Sequence, residues 1–213
     1  RRTPTPELRR QLNALGAKVV ITDVPNRVPS GPWQTLETAP VALLKDPLAP
    51  RAWRLEMPRV ALFTSGTSGA SKAVQLSTQQ LVFSAFGSAC RLGHHLDDVW
   101  LACLPTHHIG GLSIMLRACW LGITVEEHRR FEPNAIAARL DSGEVSIVSV
   151  VPEMLARLVE GRIRGFHENL RVVLVGGAAL PDALRRRCEV LGIPLAVTWG
   201  MTETASQVAT RSP

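Results

Sequence analysis

The chain has 213 residues, 46% of them apolar and 20% charged, a balance that supports a packed core and excludes disordered, collagenous and coiled-coil proteins. Its net charge of +6 comes from arginines in short groups, Arg1-Arg2, Arg9-Arg10, Arg129-Arg130 and Arg185 to Arg187, with no aromatic residues interleaved. That pattern reads as solvated helix faces and argues against a nucleic-acid partner.

In chain order, Leu8, Leu12 and Leu15 recur at helical spacing over Glu7 to Leu15, and Ala17 to Thr22 reads as a buried strand. Prolines then crowd from Asp23 to Pro58, which predicts a long irregular connection. Arg59 to Thr64 is a predicted strand, followed by a small-residue loop to Lys72 and a helix from Ser77, where Ser77 and Gln80 form a capping box. The alternation continues with strand Val99 to Leu104, helix Leu112 to Leu121, strand Ile123 to Glu127 and helix Pro133 to Leu140. Strand Val145 to Val151 and helix Pro152 to Val159 come next, then strand Val172 to Val175, helix Pro181 to Leu191 and strand Leu195 to Trp199. Such an order predicts an α/β fold, a mainly parallel sheet layered with helices, with ligands at the carboxyl ends of the strands.

Cys90, Cys103, Cys119 and Cys188 lack metal-ligand spacing and read as reduced, mostly buried thiols. No apolar run approaches the ~20 residues that cross a bilayer, and no export leader is present, so a cytoplasmic protein is expected. The chain starts at Arg1, and Val208 to Pro213 carry no helix stop, so a piece of a longer protein is expected.

Chemistry concentrates in four loops. Thr64-Ser65-Gly66-Thr67-Ser68-Gly69-Ala70-Ser71-Lys72 combines glycines that let backbone N–H groups converge on an anion, hydroxyl donors, and a lysine charge. It fails the Walker template at Ser71 and Ala73, so it suits phosphate without matching that NTPase class. His107-His108, Gly176-Gly177-Ala178 and Trp199 to Glu203 follow later strands. Taken singly these read as a surface imidazole pair, an ordinary strand-to-helix turn, a core tryptophan and a helix-start carboxylate.

Together they resemble the adenylate-forming superfamily. TSGTSGASK is similar to its phosphate loop, with Ser71 for the usual proline and Ala73 for the usual glycine. Pro105 to Gly111 resembles its P-x-x-H-x-x-G segment, Gly176 to Leu180 its adenine-side loop, and WGMTE its Y-G-x-T-E motif, with Trp199 replacing tyrosine. The stretches HHIGGLSIMLR, VVPEMLARL and WGMTETASQVAT look like the o-succinylbenzoate:CoA ligase subfamily of menaquinone biosynthesis, with Arg117 and Ser206 as candidates for the acid pocket.

The resemblance implies an acid-thiol ligase that takes a small-molecule carboxylate, ATP, Mg²⁺ and coenzyme A, and makes an acyl-adenylate and then a thioester. Its catalytic residues would be Lys72, His108, Thr202 and Glu203, with Glu203 also holding the metal. The nucleotide contacts would be Thr64, Ser65, Gly66, Thr67, Ser68, Gly69, Gly176, Gly177, Ala178, Trp199, Gly200 and Thr202. Residues 1–58 would form a partial leading unit and connection, and residues 59–213 the ATP-binding core of an incomplete N-terminal domain, inactive alone and without the small C-terminal domain. Another aryl- or fatty-acyl-CoA synthetase, a different NTPase and a non-catalytic nucleotide-binding domain are the alternatives.

Overall fold

A computed structural model describes residues 5–22, 25–37, 54–65 and 71–211. A leading helix α1 (Thr5–Ala14) precedes a two-stranded parallel pair, β1 (Val19–Thr22) and β2 (Gln34–Glu37). β2 lies inside the stretch expected to be irregular. Its partner β1, not its own four-residue pattern, is what makes it a strand.

A second pair, β3 (Pro58–Ser65) and β4 (Ser71–Ser77), is an antiparallel hairpin separate from the main sheet. This corrects the predicted strand-loop-helix unit: the chain after the glycine-rich segment returns along β3 before entering α2 (Thr78–Leu92). Half-buried Val74 and buried Leu76 alternate with exposed Ala73 and Gln75, a pattern hidden by its brevity. Helix α2 begins as expected: Gln80 N–H donates to Ser77 Oγ at 3.3 Å, and Ser77 N–H donates to the Gln80 side chain at 2.8 Å.

The remaining elements build one sheet in the order β10-β9-β8-β7-β5-β6. They are β5 (Val99–Ala102), α3 (Ile109–Leu121), β6 (Thr124–Glu127), α4 (Pro133–Asp141), β7 (Ile147–Val150), α5 (Pro152–Val159), β8 (Val172–Val175), α6 (Asp182–Val190), β9 (Leu195–Met201) and β10 (Ser206–Arg211). Strands β5 to β9 pair in parallel, while β10 runs antiparallel on β9. Val208 to Arg211, which carry no helix stop, belong to the edge strand β10.

β7 and β8 are buried throughout because their alternate residues enter two different cores. Val148, Val150, Val173 and Val175 meet α4, α5 and α6. Ile147, Val172 and Leu174 meet Leu92 of α2 and Ile114 and Ala118 of α3. Helices thus cover both faces. At the amino ends of the strands, buried Asp98 accepts 2.8 Å hydrogen bonds from Arg171 Nε and Ser146 Oγ, tying β5, β7 and β8 together.

Cys103 and Cys188 are buried thiols, but Cys90 and Cys119 lie exposed on α2 and α3. The arginine groups read correctly at α6, where Arg185 pairs with Asp182 and Glu189 at the surface. Among the described residues no helix is long and apolar enough to cross a membrane.

Candidate active site

The strand order reverses between β5 and β7: the chain leaves β5 toward β6, then crosses back to β7 and builds outward through β8 and β9. Such a switch point opens a crevice at the carboxyl ends of the strands. A cleft of about 480 Å³ lies there, between those strand ends and α3.

Its α3 side starts with a tight turn. Gly111 stands where a Cβ would come within 2.4 Å of the Pro105 carbonyl oxygen, so the 104–108 loop can lie directly on the first helical turn. Ile109, Gly110 and Gly111 line the cleft, which sets the positive end of α3 beside it. His108 also lines it, whereas His107 does not. The two rings are 4.3 Å apart, and burial, followed by the charge of His108, lowers the His107 pKa below the ordinary imidazole value.

Further along α3, Arg117 reaches the same cleft at only 2% exposure. Its Nε and Nη2 have no hydrogen-bond partner among the described residues, and its guanidinium lies 5.6 Å from the Trp100 ring centre. Burial pushes its pKa down to about 10. A buried cation without an anion is costly to keep, so the position suits an anionic ligand. Ser149 and Leu174, from the face of the sheet that α3 covers, form the floor.

The opposite wall is Gly176 and Gly177 after β8, with Thr198, Gly200, Met201 and Thr202 from β9 and its turn. Here β9 passes into a 3₁₀ turn, Thr202–Thr204, and Ala205 and Ser206 follow with positive φ of 54° and 98°. The turn is held by Thr204, whose Oγ1 accepts from Met201 N–H at 3.1 Å and lies 2.9 Å from the Ser206 carbonyl oxygen. A Cβ on Gly200 would fall 1.9 Å from that same carbonyl oxygen, so only glycine permits β10 to return this closely.

A second, more open cavity of about 800 Å³ shares Gly177, Thr198 and Gly200 with the first and adds Ala178 and Trp199. Trp199 is 59% exposed, which rules out core packing and leaves its ring free for a planar ligand. Glu203 is exposed on the turn and makes no ion pair among the described residues, so its carboxylate is available to a cation. No cluster of three metal-ligating side chains occurs among the described residues. That fits Mg²⁺, which keeps waters and phosphate oxygens as most of its ligands.

Lys72 lies opposite Thr64, and Ser71 opposite Ser65, at the end of the β3-β4 hairpin where the chain passes from one strand to the other. Gly66, Thr67, Ser68 and Gly69 lie outside the described residues. Strand β4 packs against the Thr202–Thr204 turn, and Leu76 and Ala205 belong to one small apolar cluster with Leu81. The strand that carries Lys72 thus adjoins the turn that carries Glu203. Ser149 and Ser113 escaped the sequence reading. The signal for Ser149 was a lone hydroxyl inside an otherwise apolar strand, Ile147 to Val150.

The profile of the AMP-binding enzyme family matches residues 1–213. The 2-succinylbenzoate–CoA ligase of Geobacillus kaustophilus is 38% identical over 212 residues, covering 97% of this chain and 43% of that protein. The Listeria innocua ligase of the same name is 39% identical over 163 residues, or 76% of this chain and 35% of that one. The o-succinylbenzoate coenzyme A synthetase of Bacillus subtilis, solved with ATP and magnesium ion, superposes with a TM-score of 0.84 at 32% identity, covering 99% of this chain and 45% of that one. The same enzyme with its acyl-adenylate intermediate superposes at 0.85, covering 98% and 44%. The chain spans less than half the length of each of these relatives.

Proposed function

This chain belongs to the family of AMP-binding enzymes, and on that premise we propose that the whole protein is an ATP-dependent, AMP-forming acid-thiol ligase acting on o-succinylbenzoate. In the first step a carboxylate oxygen of the acid attacks the α-phosphorus of ATP. The bond to the bridging oxygen breaks and pyrophosphate leaves with its electron pair. In the second, the coenzyme A sulfur attacks the acyl carbon and AMP departs, giving the thioester.

Both steps bring anions together, so fixed positive charge and N–H donors dominate catalysis. Lys72, with Thr64 and Ser65 and the Gly66 to Gly69 segment, would cradle the phosphates. Thr202 sits at the cleft rim and would contact the α-phosphate, and His108 lines the cleft where the reacting carboxylate would enter. Gly176, Gly177 and Ala178 would admit the adenine edge, and exposed Trp199 would stack on its face. Glu203, together with phosphate oxygens, would hold Mg²⁺, which supplies charge neutralisation.

The observation that carries the choice of acid is Arg117, a buried guanidinium whose Nε and Nη2 have no hydrogen-bond partner among the described residues, placed in the cleft beside the nucleotide wall. A second carboxylate on the substrate would satisfy it, whereas a fatty acid would leave it unpaired. Residues 1–213 by themselves are expected to bind nucleotide weakly and turn nothing over. The test is ATP-pyrophosphate exchange by the whole protein over a panel of acids. Exchange strongest with o-succinylbenzoate is expected; exchange led by benzoate or fatty acids would replace it with another acyl-CoA synthetase. Orthophosphate as the product would end the ligase reading.

A further inference from the structure

Two polar groups of the acid pocket touch one residue that does not itself line the cleft. Trp100, on β5, is 2% exposed and sits in the core between the sheet and α3. The Arg117 guanidinium carbon lies 5.6 Å from its ring centre, within the range where a cation is held by an aromatic face. Its indole N–H donates to Ser149 Oγ at 3.0 Å.

That bond has a directional consequence. An indole nitrogen can only donate, so Ser149 must accept with an oxygen lone pair and keeps its own proton for another acceptor. Among the described residues no acceptor takes that proton, and Arg117 Nε and Nη2 are likewise unmatched. Ser149 and Arg117 both line the cleft. One ring therefore sets the direction of two spare donors that share a cavity.

We propose that Trp100 is a positioning residue of the acid pocket, aiming the Arg117 guanidinium with its face and the Ser149 hydroxyl with its N–H at a single carboxylate. This rests on the reading that the cleft receives a dicarboxylic acid, and it adds a residue that never meets the substrate.

The experiment measures pyrophosphate exchange by the whole protein with o-succinylbenzoate, with its still-reactive monocarboxylate analogue, and with ATP varied. Trp100→Phe keeps an aromatic core and removes the N–H. It should raise the KM for the dicarboxylic acid about fivefold, the value of one hydrogen bond, leaving kcat, the KM for ATP and the KM for the monocarboxylate unmoved. Ser149→Ala should do the same, and Trp100→Phe should add nothing in the Ser149→Ala background. Should Trp100→Phe fold poorly, Ser149→Ala alone still decides, because an unchanged KM for the dicarboxylic acid overturns the proposal. Full additivity of the two substitutions, or an equal rise in the KM for ATP, overturns it as well and leaves Trp100 a packing residue. Absence of exchange with o-succinylbenzoate in the unmutated protein is a different failure, that of the substrate reading, and removes the inference with it.

Discussion

Replacing Arg117 by methionine should make the protein more stable and less able to hold its acid. The guanidinium is 2% exposed, its Nε and Nη2 are unpartnered among the described residues, and burial lowers its pKa from the ordinary arginine value to about 10. That depression corresponds to about 3 kcal/mol against keeping the charge buried. The Trp100 face returns about 1 kcal/mol. Methionine fills similar space with no charge to desolvate, so a gain of about 2 kcal/mol is expected. In a whole protein of the relatives' length, more than twice that of this chain, that raises the melting temperature by about 2 °C. Binding should move the other way, because a charge-assisted contact to a carboxylate is lost, and affinity for o-succinylbenzoate should fall about 50-fold. Thermal unfolding without ligand and isothermal titration with the acid, both on the whole protein, read the two quantities. A variant less stable than the parent would mean that the guanidinium is satisfied in the unliganded fold, and unchanged acid affinity would mean that it is not the receptor.

Glu203→Gln should lower Mg²⁺ affinity about 10- to 100-fold in exchange assays while leaving the circular-dichroism spectrum unchanged, since the side chain is exposed and makes no ion pair among the described residues. Unaltered Mg²⁺ dependence would remove Glu203 from the metal site. Gly200→Ala should cost about 3 kcal/mol in urea unfolding, because the new Cβ would fall 1.9 Å from the Ser206 carbonyl oxygen and push β10 off β9. A loss under about 1 kcal/mol would show that the strands can part cheaply at this position. Asp98→Asn should cost about 3 kcal/mol near neutral pH by leaving Arg171 without its anion. Burial works to raise the Asp98 pKa, but hydrogen bonds from Arg171, Ser146 and the His95 N–H outweigh it and hold it below the ordinary 3.8. Its folded-state pKa being depressed, the stabilisation is complete above that ordinary value and is lost as pH falls below it. The parent protein should therefore lose stability more steeply than the variant as the pH falls below about 3.8, and parallel acid-unfolding curves would count against the Asp98 clip.

Local signals were sufficient wherever an element carries its own periodicity or punctuation. The valine-rich runs of β7 and β8, the proline openings of α4 and α5, and the Ser77/Gln80 box were all legible, because burial on two faces and capping depend on residues close in sequence. The strand-end loops could be picked out for the same reason, glycines and hydroxyls being concentrated after apolar runs.

What distant pairing creates was not legible. Strands β2 and β10 exist through their partners, and β4 turns a supposed loop-to-helix passage into a hairpin lying on the Thr202–Thr204 turn. The cleft is a stronger case. Trp100, Arg117 and Ser149 come from three separate elements, and of these only Arg117 is singled out by the sequence, through resemblance to the ligase subfamily and not through a local pattern. Composition and period determined that this chain forms a layered α/β sheet with ligand loops at one edge. Only the packing of α3 across that sheet decided which hydroxyl, ring and guanidinium face one another, because side-chain contact across layers follows from three-dimensional register and leaves no period in the chain.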